Sequence, residues 1–131
     1  MKLWGKTEKK VEKTHSEDAP KMSDLEQLCG NDKDLYEALH HVMFLDPRKV
    51  DTPMKEAAEK AKQYESEKDF GRARIWYDIA GSLAIYQSDE DKVVEFFTKS
   101  EKLSGMKYPI LARPEDAVAK AQEYYKKHLK H

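Results

Sequence analysis

One stretch, Phe70–Tyr86 (FGRARIWYDIAGSLAIY), narrows the choice of fold more than any other in this chain. Laid on a helix at about 100° per residue, its apolar side chains fall into two stripes. Phe70, Ala73, Tyr77, Ala80 and Ala84 form one; Trp76, Ile79, Leu83 and Tyr86 form the other. Together they cover an arc of roughly 200°, leaving a narrow polar wedge at Arg74, Asp78 and Ser82. A helix lying on a surface carries one stripe, so two stripes require neighbours on two sides. The stretch reads as the central helix of a small bundle.

The flanking sequence supplies those neighbours. Ser23-Asp-Leu-Glu26 is a capping-box pattern, and Gly30 is placed to close a short helix after Cys29. Asn31 or Asp32 can cap a second helix in which Leu35, Leu39 and Val42 recur at i, i+4 and i+7, with Tyr36, Ala38, Met43, Phe44 and Leu45 widening the apolar side. Asp46-Pro47 is read as its end, because the residue before proline is pushed out of the α region. Thr52-Pro53 reads as an N-cap followed by proline in the first turn. Met54, Ala57, Ala58, Ala61 and Tyr64 then fit the helical template, and the short turn Ser66–Asp69 makes this helix and the central one antiparallel neighbours.

Beyond the central helix, Ser88-Asp-Glu-Asp91 is another capping pattern, and Val93, Val94, Phe96, Phe97 and Leu103 supply a buried face that Gly105 ends. Met106–Arg113 is too apolar for a free loop and is expected to pack across the bundle. Pro114 opens a last helix with Ala117, Ala121, Tyr124 and His128 on one stripe and Val118, Tyr125 and Leu129 beside it. The fold class read here is all-α: a compact bundle of about four to five helices spanning residues 23–131.

Residues 1–22 show no helical stripe, and Met1–Lys13 carries five lysines against two glutamates, a local charge of +3. Such a segment buries too little surface to offset its ordering entropy, so a disordered basic tail is expected. Within it, Trp4 among Lys2, Lys6, Lys9 and Lys10 reads either as a linear anchor for a protein or anionic surface, or as an initiator region without a partner.

The 131 residues suit one domain, and a net charge of −1 with 37% charged residues fits helices with salt-bridged outer faces more than a dedicated nucleic-acid binder. Heavy Lys and Glu use with one cysteine is also a pattern of heat-adapted proteins. Cys29 is the single cysteine, which suits a reducing cytosol. No run approaches the length and apolarity of a membrane span, so a soluble, cytoplasmic protein is expected.

Ala61, Tyr64, Asp69-Phe70, Ala73, Tyr77 and Ala80 have the identities and spacing of the tetratricopeptide repeat, an antiparallel helix pair. Met54–Ile85 therefore resembles one such unit, and is also similar to the helix pair of the microtubule-interacting-and-trafficking domain. Lys60 stands where the repeat usually carries a large apolar residue, and Ile85 where a proline commonly closes it. The resemblance implies a protein–protein interaction or adaptor module whose contacts come from the first helix of the pair, here Lys55, Glu59 and Lys62. The asparagine that clamps a peptide carboxylate in such repeats is absent. On the second apolar stripe, Trp76 and Tyr86 are further candidate contacts if no helix covers them.

Catalytic chemistry finds no residue to carry it. His40 and His41 are adjacent and so point about 100° apart, and His128 with His131 has no third ligand at a diagnostic spacing, so neither metal nor cofactor is expected. Cys29 lacks a histidine partner, and no phosphate-binding glycine motif occurs. Besides the interaction module, two readings stay open. One is a self-assembling structural or viral-type helical protein. The other is weak nucleic-acid association through the termini, with Lys120, Lys126, Lys127 and Lys130 beside Tyr124 and Tyr125.

Overall fold

The computed structural model describes residues 22–129. Among them the chain runs through six helices: α1 (Met22–Cys29), α2 (Lys33–Val42), α3 (Met54–Ser66), α4 (Phe70–Tyr86), α5 (Glu90–Ser104) and α6 (Pro114–His128), with 3-10 turns at Pro47–Lys49 and Pro109–Ala112. No strand occurs among the described residues, so the class is all-α, with two short helices ahead of four longer ones. The basic tail and Trp4 lie outside the described residues, as do Lys130 and His131.

Local chemistry sets the helix ends, and several differ from the sequence reading. Ser23 does not precede α1, which already contains Met22 and Ser23. Asp32, not Asn31, caps α2 by accepting the Leu35 N–H at 3.1 Å. α2 stops at Val42, short of Asp46-Pro47. Met43 donates its N–H to Leu39 O at 2.8 Å and turns inward, while Phe44 turns outward and is 45% exposed. Asp46 then caps the next turn, accepting from Arg48 N at 3.0 Å, Nε at 3.1 Å and Nη2 at 2.8 Å. Pro53, not Thr52, occupies the cap position of α3: its ψ of 155° is extended, and its carbonyl accepts the Ala57 N–H at 2.9 Å.

The two turns around α4 share one design. Lys68 (φ 63°) and Ser88 (φ 59°) take the left-handed conformation that closes a helix. Asp69 N then donates to Tyr64 O, and Asp89 N to Ala84 O, each at 2.9 Å. The two aspartates open the next helices, accepting from Arg72 N at 3.3 Å and Lys92 N at 3.2 Å. Ser88 was read as the cap of α5; its left-handed φ gives it to the end of α4 instead, and Asp89 takes the cap.

Turns this short make α3, α4 and α5 an antiparallel series with α4 in the middle. Ala57, Ala61, Ala73 and Ala80, all fully buried, let α3 and α4 approach closely. Among the described residues α3 packs chiefly on α4, and reaches α5 through Glu65 and Lys99 at 3.8 Å. α5 lies on the next side of α4, with Phe97 against Gly81. α6, α2 and the first 3-10 turn take the third side. The central position of Phe70–Tyr86 is therefore met, with α3 and α5 on its flanks and α6 above.

Candidate functional site

The third side of α4 is covered along only part of its length. In the C-terminal half, Ala80 to Ile85 are all buried. Tyr86 meets Tyr125 of α6 edge-on at 5.1 Å between ring centroids. Gln122 Nε2 donates to the carbonyls of Ile85 at 2.8 Å and Tyr86 at 3.0 Å, satisfying acceptors that the helix end leaves open. Burial, with Tyr124 and Tyr86 close by, pushes the Tyr125 hydroxyl well above its ordinary titration range. Tyr86, a candidate contact residue, is engaged by α6.

The polar wedge is covered too. Ser82 is 1% exposed, and Asp78 accepts the Tyr108 hydroxyl at 2.8 and 3.1 Å. The Tyr108 N–H donates to Glu101 Oε2 at 3.0 Å, and its ring lies against Phe97 (5.7 Å) and His41 (4.8 Å). Tyr108 and Ile110 are buried, so Met106–Arg113 does pack across the bundle. Burial and then the Asp78 carboxylate raise the Tyr108 hydroxyl, with Arg74 acting in the opposite sense. His41 faces the core as His40 faces solvent against Tyr36, so the two rings diverge as their adjacency requires.

The N-terminal half of α4 is open. Ile75 is 49% exposed, and Trp76 and Ile79 are only partly buried. Phe70, assigned to the inner stripe, is 47% exposed. It is the first residue of α4, where the stripe runs past the end of its neighbours. The reading that Trp76, Ile79, Leu83 and Tyr86 are either covered or form a binding surface resolves residue by residue: Leu83 is buried, while Trp76, Ile79 and Tyr86 are partly buried, Tyr86 being the one that meets α6.

Two cations sit over aromatic rings at the α3–α4 seam. Lys60 Nζ of α3 lies 4.7 Å from the Trp76 ring of α4, and the Arg72 guanidinium of α4 lies 5.7 Å from the Tyr64 ring of α3. The pairs are reciprocal because each helix carries one cation and one aromatic four residues apart. Lys60 thus covers part of Trp76. Lys55, Glu59 and Lys62 are exposed on α3, but about 100–160° around the helix from Lys60. Of these, Lys62 lies nearest the side of Glu65, which accepts the Tyr77 hydroxyl at 2.7 Å and faces Lys99 at 3.8 Å. The candidate contacts thus fall on two surfaces, Lys55, Glu59 and Lys62 on one and Trp76 on the other.

The chain has four arginines, and they divide by how they are held. Arg48 grips Asp46 through two nitrogens at 3.1 and 2.8 Å, and Arg113 grips Asp32 at 2.9 and 2.8 Å. These contacts hold the Asp46 and Asp32 carboxyls below their ordinary value of 3.8. Arg72 and Arg74, on either side of Ile75, reach Asp69 and Asp78 at 3.6 and 3.5 Å. Both distances exceed the 2.7–2.9 Å or so of a tight guanidinium–carboxylate bond. One turn before Ile75 stands Gly71, exposed and helical, with nothing within 4 Å of where its Cβ would be. Glycine here costs the helix about 1 kcal/mol relative to alanine, with no steric need among the described residues.

Gly71 and Ile75 escape the two-stripe reading because they fall outside both stripes. The signal for them was the series Gly71, Ile75, Ile79 at i, i+4, i+8 between two arginines. Elsewhere, the Cys29 thiol is buried and kept protonated by desolvation. No group of three or more His, Cys, Asp or Glu side chains converges on a metal-sized site among the described residues. No helix among them is long and apolar enough to cross a membrane. No family model, curated protein or solved structure matches the chain.

Proposed function

We propose that this chain is a non-catalytic protein–protein interaction module built on a tetratricopeptide-like helix pair, α3 and α4. The observation that carries the reading is the uneven cover of α4, closed on every side over Ala80–Ile85 and open at Ile75. An apolar helix face that is half sealed and half exposed, with an exposed isoleucine beside a half-covered tryptophan, suits a surface completed by another protein. Two half-buried carboxylates that could serve chemistry are tied up in the fold instead: Asp78 by Tyr108, and Glu65 by Tyr77. The neutral, buried Cys29 thiol suits a structural role in a reducing compartment.

Affinity capture with the full chain and with Ile75→Asp tests the reading, folding being checked by circular dichroism. A partner held by the wild-type chain and lost with Ile75→Asp is the expected outcome. Identical capture by both, or capture lost only on Lys55→Glu with Lys62→Glu, moves the contact away from the open half of α4. No specific partner in any capture overturns the module.

A further inference from the structure

We propose that Gly71, Ile75 and Ile79 form a ridge that docks an acidic amphipathic helix of a partner protein. The proposal rests on the interaction-module reading and assigns its partner chemistry. The three residues follow one another at intervals of four along α4, a spacing that drifts about 40° per step and so makes a nearly straight line. Ile75 and Ile79 supply the apolar surface, and Ile75 is half exposed. Gly71 supplies a flat place with open space above it, where a partner backbone can come close. An exposed glycine unexplained by the chain and an exposed isoleucine one turn on are separate observations with the same meaning.

Charge selects the occupant. Arg72 and Arg74 flank the ridge on opposite sides, with side chains 67% and 36% exposed. Arg72 lies 3.6 Å from Asp69 and over the Tyr64 ring, looser than the grip of Arg113 on Asp32. Arg74 is turned toward the Tyr108 hydroxyl and Asp78, so Arg72 is the more available of the two. Lys60 adds a third cation over Trp76. The Arg72 guanidinium, 67% exposed and left at 3.6 Å from Asp69, can close on a partner's Asp or Glu in bidentate geometry. A helix whose apolar residues recur at i, i+3 or i+4 and i+7, flanked by acidic residues, matches both the line and its rim. The chain's own residues 1–13, with a charge of +3, carry the wrong sign for this surface.

Panning a phage library of random peptides, roughly 16 residues or about four helical turns long, against the full chain tests the assignment. Enrichment of Asp and Glu with Leu, Ile or Phe at helical spacing is expected. Binding of a synthetic copy of the leading peptide, followed by fluorescence anisotropy, should weaken about tenfold or more on Ile75→Asp, on Arg72→Glu and on Gly71→Gln. A Cβ at Gly71 meets nothing within 4 Å among the described residues, and unchanged circular dichroism and urea unfolding of Gly71→Gln separate its effect on docking from one on folding. Enrichment of basic peptides, or acidic binders indifferent to all three variants, overturns the ridge. Binders lost on Lys55→Glu with Lys62→Glu leave the module standing and refute the ridge alone. No enriched binder refutes both. A concentration-dependent dimer in sedimentation that Ile75→Asp abolishes makes a second copy the occupant and overturns the acidic partner.

Discussion

Gly81 and Gly71 stand on one helix and meet opposite surroundings. A Cβ on Gly81 would lie 2.5 Å from Phe97 Cζ and 2.7 Å from both Cε atoms, whereas a Cβ on Gly71 would meet nothing within 4 Å. The first glycine brings α4 and α5 together at the cost of helix propensity, and contact returns more than that cost. The second carries the same cost without a contact to offset it. Sealing is thus a property of half of α4, and the other half keeps a surface that the described residues leave open.

The largest effect expected from this difference belongs to Phe97, fully buried between Gly81 and Tyr108. Phe97→Ala should cost about 3–5 kcal/mol in urea unfolding, the range for losing a core aromatic and leaving its cavity. A loss of under about 1 kcal/mol would mean that α5 does not seal α4 through this ring.

Gly81→Ala should destabilise by about 1–2 kcal/mol, overpacking outweighing the gain in helix propensity. The clash is with the far end of a side chain, which could swing aside if it had room. Tyr108, stacked on Phe97 at 5.7 Å, denies that room. Combining Gly81→Ala with Phe97→Leu should therefore cost less than the sum of the two, with a coupling of about 0.5–3 kcal/mol. Additive losses would show that the ring does not limit the approach of the two helices.

The same contrast shows what can be read along a sequence. Ala57, Ala61, Ala73, Ala80, Tyr77, Val93 and Phe97 are buried as their periodicity requires, because a helix fixes which residues share a face. Periodicity is blind to where a neighbour stops. Tyr108 covers the wedge at Asp78 from thirty residues away, and Gln122 reaches Ile85 from thirty-seven, so cover on α4 depends on the Met106–Arg113 stretch and α6. Helix ends were similarly underdetermined. Pro47 sets the latest end that α2 can have, but the chain leaves the helix at Val42, which turns Phe44 outward. The open ridge was missed for a related reason: Ile75 belongs to neither stripe, and only the structure separates an exposed apolar residue from a third buried line.

Alkaline titration examines the boundary between the halves, where Tyr77 and Tyr108 join the sealed region. Both hydroxyls, and that of Tyr125, are raised above the ordinary value of 10, burial being the first cause in each case. The neutral phenols belong to the folded state, so their contribution is fully present below pH 10 and is lost as pH rises toward the folded values. Tyrosinate absorbance from these residues should appear together with the loss of helical circular dichroism. Tyr108→Phe, which removes a hydrogen bond to a charged group, should cost about 1.5–3 kcal/mol. Tyrosinate appearing well before unfolding would place water, and not packing, around Asp78.

The smallest effect carries the opposite sign. Gly71→Ala should stabilise the chain by about 0.5–1 kcal/mol in urea unfolding, since the methyl group meets nothing and the unfolded chain loses conformational freedom. A change of this size is measurable beside Gly81→Ala in the same helix, where backbone type and solvent are held constant and only the neighbour differs. A destabilising Gly71→Ala would mean that something in the chain already occupies the space above it, and the open half would be a sealed one. A stabilising result leaves a glycine that weakens the free protein at a place where a methyl group would fit. The physical use that remains for it is the approach of a backbone from outside.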